Sequence, residues 1–232
     1  MQREIESSAL PAIRPLTIAH RAGHDVSLAR AAHEAGADLI ELDVWLCRGR
    51  LELRHAKTMP LLPLLWDRWS IAPGWRSRLL LEELLDAVPD EAGLMLDLKG
   101  GDPRLPGAVM RALNARPRIG TIAVCSEHWQ SVDAFFGYEG VVPIHSVGKR
   151  HRVAPLLSHL ATHGASEPIA VSINQRLLHD GTLAALKAAR AQVLTWAIND
   201  AERAETLLAS GVDGVISDDV ELVRSIVAAR RG

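Results

Sequence analysis

The segment LIELDVW at residues 39–45 decides the fold and indicates where the chemistry lies. Side chains alternate across a β-strand, so its even-numbered aliphatic side chains share one face, whereas Glu41 and Asp43 share the other. The apolar face is expected to pack under helices, and the two carboxylates are expected to point inward. The segment is therefore predicted to be a strand of a barrel with acidic side chains in its interior.

Strand-like and helix-like segments alternate around this strand, from Leu16 onward. The predicted strands are 16–20, 39–45, 93–98, 121–125, 141–145, 169–173, 192–198 and 214–216. The predicted helices are 26–35, 79–88, 105–115, 129–136, 153–162, 177–189, 201–209 and 221–229. This alternation is typical of βαβ units and a parallel sheet. A ninth extended piece at 51–55 follows a tight turn and is interpreted as a hairpin-like extension, and 56–77 is interpreted as a loop rich in Pro and Trp.

Eight parallel strands favour a closed barrel over an open, doubly wound sheet. The chain has 232 residues, and a barrel of this type typically needs ~250. No linker, charge block or low-complexity segment divides the chain. We therefore predict one α/β domain, a (β/α)8 TIM barrel over residues 1–232 with its core at about 16–228.

Charge, cysteines and apolar runs indicate which partners and which location to expect. The net charge is −2, which does not indicate a nucleic-acid binder, because such proteins normally show a strong basic excess. Cys47 and Cys125 are expected to be buried free thiols. We see no secretory signal, and the longest apolar runs are too short for a transmembrane segment. A cytoplasmic location is therefore expected.

A second strand repeats the acidic pattern. In LMLDLK at residues 94–99, Asp97 and Lys99 share the face opposite the leucines. Carboxylates buried side by side are costly unless a cation neutralises them, and a divalent metal bound by carboxylate oxygens can do so. Asp97 is thus a candidate third ligand beside Glu41 and Asp43. Pairing of these acids with arginines, or an internal Asp97–Lys99 salt bridge, are alternatives that stay open.

Two histidines lie at strand ends. His20 ends the first predicted strand and precedes Arg21, and His55 ends the hairpin-like extension. Histidines that converge on a metal site suggest a general acid and a general base, although a buried histidine with satisfied hydrogen bonds is the alternative for each. His24 lies four residues after His20 and is kept as a further candidate, and the remaining histidines are given no role.

The order of these residues resembles the glycerophosphodiester phosphodiesterase family. The resemblance extends from about residue 16 to residue 220 and includes TWAIN at 195–199 and GVDGVISD at 211–218. It implies a metal-dependent phosphoric diester hydrolase that uses Mg²⁺ or Ca²⁺ and a small phosphodiester substrate. It implies that His20 and His55 are an acid/base pair and that Glu41, Asp43 and Asp97 bind the metal. It also implies that Arg21 and Lys99 bind the phosphate and that Trp196 lines the substrate pocket.

The chain also departs from the family pattern. The family's His-Arg-Gly and Glu-Asn-Thr motifs are replaced by HRAGHD at 20–25, Ala56 follows His55 where the family has Asp, and Asp97 stands where the family often has Glu. The Asp97-x-Lys99 pair is similar to the sphingomyelinase D/phospholipase D branch of the superfamily.

Three functions therefore stay open. The first is hydrolysis of glycerophosphodiesters to glycerol phosphate and an alcohol. The second is phospholipase D-like action on lysophospholipids or sphingolipids, with peripheral lipid contact through the Trp/Leu-rich stretch 61–75. The third is a non-catalytic barrel that binds phosphorylated metabolites. No surface stripe indicates an oligomer interface.

Overall fold

The computed structural model describes residues 10–11, 14–58, 64–67, 70–73, 78–163 and 169–230. The strands are β1 Leu16–Ala19, β2 Leu39–Cys47, β3 Arg50–Leu53, β4 Lys57–Thr58, β5 Leu64–Asp67, β6 Ser70–Pro73, β7 Leu94–Lys99, β8 Ile122–Ser126, β9 Val141–Val147, β10 Ile169–Asn174, β11 Ala191–Trp196 and β12 Gly214–Ser217. The helices are α1 Val26–Glu34, α2 Leu81–Ala87, α3 Leu105–Ala115, α4 Trp129–Asp133, α5 Val153–His163, α6 Asp180–Ala188, α7 Ala201–Ala209 and α8 Val220–Ala229.

Eight of the strands form a closed parallel barrel. The hydrogen-bonded order is β1-β2-β7-β8-β9-β10-β11-β12, and β12 pairs with β1 to close the ring. Each barrel strand is followed by a helix before the next barrel strand begins. The predicted single-domain (β/α)8 barrel is confirmed.

Two segments outside the barrel complete the sheet structure. Strand β3 pairs antiparallel with β2, which confirms the hairpin-like extension. Strands β4, β5 and β6 form a separate antiparallel sheet where we predicted a loop. Proline suggested that loop, but Pro73 ends β6, an edge strand, where a residue that lacks an N–H group is tolerated.

Two layers of apolar side chains enclose the barrel wall. The outer layer packs under the helices and includes Ile40, Leu42 and Val44, as the alternation in β2 predicted. The inner layer fills the lower barrel with residues such as Leu39 and Met95. Toward the carboxyl ends of β2 and β7 the inward positions change from apolar to acidic, which places the polar groups at the mouth of the barrel.

An ion pair near the floor of the barrel joins the first and last elements. The guanidinium of Arg230, just after α8, donates to both carboxylate oxygens of Asp38 at 2.6 and 2.8 Å and to Pro15 O at 2.9 Å. The same carboxylate accepts from the backbone N–H and the hydroxyl of Thr17, at 2.8 and 2.9 Å. The Asp38 and Arg230 side chains are each only 9% exposed. The ion pair thus ties the end of α8 to β1 and to the start of β2.

Two further expectations concern the burial of the cysteines and the absence of a transmembrane segment. Cys125 is a buried free thiol as predicted, whereas Cys47 is a free thiol that is only half-buried, because β2 continues past the barrel into the hairpin with β3. Among the described residues, no helix is long and apolar enough to cross a bilayer. The cytoplasmic location stays a prediction.

Candidate active site

A cavity of about 870 Å³ opens at the carboxyl ends of the barrel strands. The eight residues to which the sequence resemblance gives a role all line it: His20, Arg21, Glu41, Asp43, His55, Asp97, Lys99 and Trp196. The further candidate His24 does not line it. Active sites of TIM barrels lie at this face. The side chains come from β2, β7, β11 and the loops that follow β1 and β3.

Three carboxylates converge on one side of the cavity. Asp43 lies directly opposite Asp97 in the parallel register of β2 and β7, and Glu41 lies two residues before Asp43 on the same inward face. Carboxylate oxygens of the three residues all lie within 4.8 Å of one another. Burial, followed by repulsion from Asp43 and Asp97, raises the pKa of Glu41 well above its ordinary value. Burial likewise raises the pKa of Asp97 to about 6.

Lys99 is a cation in direct contact with two of these acids. Its Nζ lies 2.8 Å from Asp43 Oδ1 and also contacts Asp97 Oδ2, so the predicted alternative of an internal salt bridge is present. Burial lowers the pKa of Lys99, but Asp97, Asp43 and Glu41 together raise it above its ordinary value. Arg21 reaches the acids through its backbone instead, because its left-handed conformation (φ 56°) directs its N–H to Glu41 Oε2 at 2.6 Å.

The acidic group fits a divalent cation. Among the described side chains, these three carboxylates contact one lysine, so two negative charges remain to be neutralised if all three acids are ionised. Asp43 Oδ2 is buried and has no hydrogen-bond partner among the described residues. His24 Nε2 lies 3.3 Å from this oxygen but already accepts from the Asp43 N–H at 2.9 Å, so it has no proton to donate. Oxygen ligands in this number and charge suit Mg²⁺ or Ca²⁺.

His20 is held by a carboxylate that the sequence did not single out. Its Nδ1 lies 2.7 Å from Asp218 Oδ1, and its Nε2 faces the acids, 3.9 Å from Glu41 Oε2. Asn199 fixes Asp218 by donating to its Oδ2 at 3.1 Å and accepting from its N–H at 2.9 Å. Burial lowers the pKa of His20, although Asp218 opposes the shift. Neutral His20 therefore presents a proton-accepting Nε2 to the cavity, with Nδ1–H directed at Asp218.

The other two candidate histidines accept hydrogen bonds in this structure. Arg21 Nη2 lies 2.8 Å from His55 Nε2, and since a guanidinium can only donate, this imidazole nitrogen accepts. His24 accepts from the backbone of Asp43, and burial lowers its pKa to about 4. His24 thus positions β2 as a neutral imidazole, while His55 and Arg21 form a linked pair at the cavity wall.

Asp218 and Asn199 are residues of the site that reasoning from the sequence missed. In the sequence, both are only parts of the family-like segments at 195–199 and 211–218. A usable signal was their position, because Asp218 directly follows β12 and Asn199 lies three residues after β11, where barrel side chains reach the active face. The proposed apolar stretch 61–75 lies outside the described side chains.

The chain is similar in fold to several solved structures, although its sequence is far from theirs. No family model matches the sequence, and no curated protein sequence matches it. Among solved structures, a phosphodiesterase from Oleispira antarctica in complex with the product sn-glycerol-3-phosphate is similar at 18% identity and a TM-score of 0.75, over 94% of this chain and 98% of that one. A glycerophosphodiester phosphodiesterase from Parabacteroides distasonis is similar at 17% identity and a TM-score of 0.66, over 94% and 98% of the two chains.

A third solved structure is also similar in fold to this chain. A glycerophosphodiester phosphodiesterase from Agrobacterium tumefaciens is 18% identical, with a TM-score of 0.63 over 90% of this chain and 99% of that one. Identities this low carry the fold rather than the function. The chain therefore has the barrel fold of solved glycerophosphodiester phosphodiesterases along nearly its whole length, which is the likeness that its sequence pattern led us to expect.

Proposed function

We propose that the protein is a metal-dependent phosphodiesterase that hydrolyses glycerophosphodiesters to glycerol phosphate and an alcohol. One observation carries the proposal: two buried carboxylates, the half-buried Asp97, Lys99 and the Asp218-held His20 converge in a single cavity at the mouth of the barrel. The sn-glycerol-3-phosphate in the similar Oleispira antarctica phosphodiesterase supports this choice of substrate.

Glu41, Asp43 and Asp97 would hold the divalent ion, Mg²⁺ or Ca²⁺. When bound, such an ion polarises phosphoryl oxygens and neutralises charge that develops during displacement at phosphorus. The remaining task of the protein side chains is to orient the anionic diester and to move two protons. Lys99 is suited to neutralise a phosphate oxygen, because its Nζ lies among the acids and stays protonated.

The histidines would share the proton transfers. A lowered pKa keeps His20 neutral near pH 7, and Asp218 would stabilise the imidazolium that forms when Nε2 takes a proton. His20 is therefore assigned as the general base that activates the attacking hydroxyl. This leaves His55 as the general acid: as substrate enters, Arg21 would move from His55 Nε2 to the phosphate, Nε2 would take a proton from solvent, and the imidazolium would protonate the leaving alcohol. Trp196 lines the cavity where the alcohol would lie.

The test is hydrolysis of glycerophosphocholine, glycerophosphoethanolamine and lysophosphatidylcholine with Mg²⁺, with Ca²⁺ and with EDTA. We expect EDTA to abolish turnover and His20→Ala to lower kcat on the order of 10²–10⁴-fold. His151→Ala is the matched control, because His151 is exposed and lies outside the cavity. Turnover that is indifferent to EDTA and to His20 would reject the proposal.

The same assay separates the alternatives. Preference for lysophosphatidylcholine over both soluble diesters would favour the phospholipase D-like function. Binding of glycerol phosphate without turnover of any diester would favour a non-catalytic barrel. The Asp97–Lys99 contact is compatible with the first of these alternatives, since the Asp-x-Lys pair is what links the sequence to that branch.

A further inference from the structure

A second group of metal-ligating side chains lies outside the active-site cavity. It consists of Asp133 at the end of α4, His145 on β9 and His159 on α5. Both imidazole Nε2 atoms approach the same carboxylate oxygen, Asp133 Oδ1, at 2.9 Å from His145 and 3.1 Å from His159. None of the three residues lines the active-site cavity.

The position of His145 sets this group apart from ordinary barrel packing. On β9, Val142 and Ile144 belong to the apolar filling of the barrel interior, so His145 faces outward, under the helices. Its neighbours on that face, Val141 and Val147, pack into apolar clusters. A 1% exposed imidazole at such a position is costly unless its polar atoms are bound.

We propose that Asp133, His145 and His159 form a second divalent-metal site, selective for an ion of the Zn²⁺ type. Imidazole nitrogens suit Zn²⁺, whereas Mg²⁺ and Ca²⁺ prefer oxygen ligands alone. The two nitrogen–oxygen separations of 2.9 and 3.1 Å approach the ~3.3 Å that separates ligands of a tetrahedral ion with bonds of ~2.0–2.1 Å. The two carboxylate–imidazole separations thus need only a small widening to admit the ion.

The surroundings provide access and orientation. The side chains of Asp133 and His159 are 22% and 18% exposed, which leaves a path for the ion and a fourth position for water. Trp129 packs beside the His159 ring at 5.3 Å between centroids, and Phe136 lies 5.8 Å from the His145 ring. Such apolar walls hold ligating rings in place and limit solvent. On binding, the Nε2–H proton of each neutral imidazole is exchanged through solvent for one on Nδ1, with no net release of protons, so Zn²⁺ with two neutral imidazoles and one carboxylate has a net charge of +1.

The site would act as a structural cross-link. It joins α4, β9 and α5 on one side of the barrel, and it faces away from the inward-pointing acids of β2 and β7. The two sites therefore differ in both place and ligand chemistry: oxygen-only within the barrel mouth, and nitrogen-rich beneath the helices. This proposal is independent of the proposed hydrolysis.

Zn²⁺ itself is the probe for the test. The full chain with Glu41→Gln and Asp43→Asn, which weakens the oxygen site, is titrated with Zn²⁺ in competition with a chromophoric chelator. We expect one Zn²⁺ per chain and, with Co²⁺ substituted, visible absorption bands of a nitrogen-ligated tetrahedral ion. Adding His159→Gln should weaken Zn²⁺ binding by more than about a hundredfold, because even the loss of an outer partner costs 10–100-fold.

Two further variants separate loss of the metal ligand from loss of folding. His151→Gln changes an exposed histidine just before α5 and should leave Zn²⁺ binding intact. Asp133→Asn keeps a hydrogen-bond acceptor for both imidazoles but loses the charge, so it should fold without metal and bind Zn²⁺ weakly. Equal Zn²⁺ affinity with and without His159→Gln, or equal losses in the His159 and His151 variants, overturns the proposal.

Discussion

At the residue scale, two adjacent aspartates after β12 have different tasks. Asp218 accepts from His20 Nδ1, whereas Asp219 caps α8 by accepting from the Glu221 and Leu222 N–H groups at 2.9 and 3.2 Å. We expect Asp218→Asn to lower kcat by about 10–100-fold, as loss of a ligand-orienting partner commonly does, with little change in thermal stability. Steady-state kinetics and thermal melts of the purified variant measure both quantities.

Asp219→Ala provides the matched comparison. We expect it to cost about 0.5–2 kcal/mol of unfolding free energy through the lost cap, while kcat per folded molecule is retained. Equal kcat values for wild type and Asp218→Asn would show that Asp218 does not position His20 for catalysis.

Lys99 supplies a second prediction at this scale. Lys99→Met removes the cation that contacts both Asp43 and Asp97, so we expect kcat/KM to fall by at least about 10²-fold, as for loss of a group that stabilises transition-state charge. Lys99→Arg should not restore activity, since a planar guanidinium cannot replace a compact ammonium between two carboxylates. Steady-state kinetics of wild type, Lys99→Met and Lys99→Arg at saturating Mg²⁺ provide the measurement. Full activity of Lys99→Arg would contradict the prediction.

Alternation along β2 and β7 predicted which side chains of the site face inward, but it could not predict their partners. The contacts of His20 with Asp218 and of Arg21 with His55 join residues 198 and 34 positions apart. Asp133, His145 and His159 come from three separate elements and follow no ligand spacing motif, so nothing in the sequence grouped them. Such partners depend on barrel closure and helix placement, which local patterns do not specify.

At the element scale, two glycines predict opposite effects of the same substitution. Gly93 precedes β7, and an added Cβ would overlap with the carbonyl oxygen of Asp38. Gly107 lies in α3, where the added Cβ would meet only the Arg111 side chain, at 3.6 Å. We expect Gly93→Ala to lower the free energy of unfolding by about 1–3 kcal/mol through overpacking. Gly107→Ala should stabilise by roughly 0.5–1 kcal/mol, because glycine is unfavourable within helices. Chemical denaturation of both variants checks the signs, and a stable Gly93→Ala would contradict the packing argument.

Most elements were predictable because apolar periodicity changes clearly between strand and helix. The exceptions have local causes. Helix α4 ends at Asp133, three residues earlier than predicted, because turns that end at Gly137 replace its last residues. Helix α6 begins at Asp180 because the His179 side chain accepts from the Thr182 N–H, after a separate 3-10 turn at Gln175–Leu177.

At the scale of the whole molecule, the Arg230–Asp38 ion pair should be a major contributor to stability. Arg230→Ala leaves a largely buried carboxylate without its partner, which costs about 3–5 kcal/mol. Arg224→Ala, within α8, is the control, since the pair of Arg224 with Glu221 is exposed and should contribute about 0–1 kcal/mol. Urea unfolding of the two variants provides the comparison. Similar losses of unfolding free energy in both variants would show that the Arg230–Asp38 ion pair contributes no more than an exposed pair.

Metal binding should also appear as stability of the entire domain. At Mg²⁺ or Ca²⁺ a hundredfold above its Kd, we expect a gain of about 2.7 kcal/mol. For a chain of this size, that corresponds to a Tm increase of roughly 5–10 °C. Glu41→Gln should lose most of this increase, and His151→Gln should keep it. A Tm increase of equal size in the Glu41→Gln protein would place the ion elsewhere.

Closure of the ring between β1 and β12 has a consequence for synthesis on the ribosome. Strand β1 pairs with β2 at two register positions but with β12 at four, and β12 begins at residue 214. At about 5–20 residues per second, the nascent β1 waits on the order of 10–40 s for its main partner to be translated. Throughout that interval an apolar strand edge stays open, so this protein is expected to engage chaperones late in translation and to be released only when its last strand has left the exit tunnel.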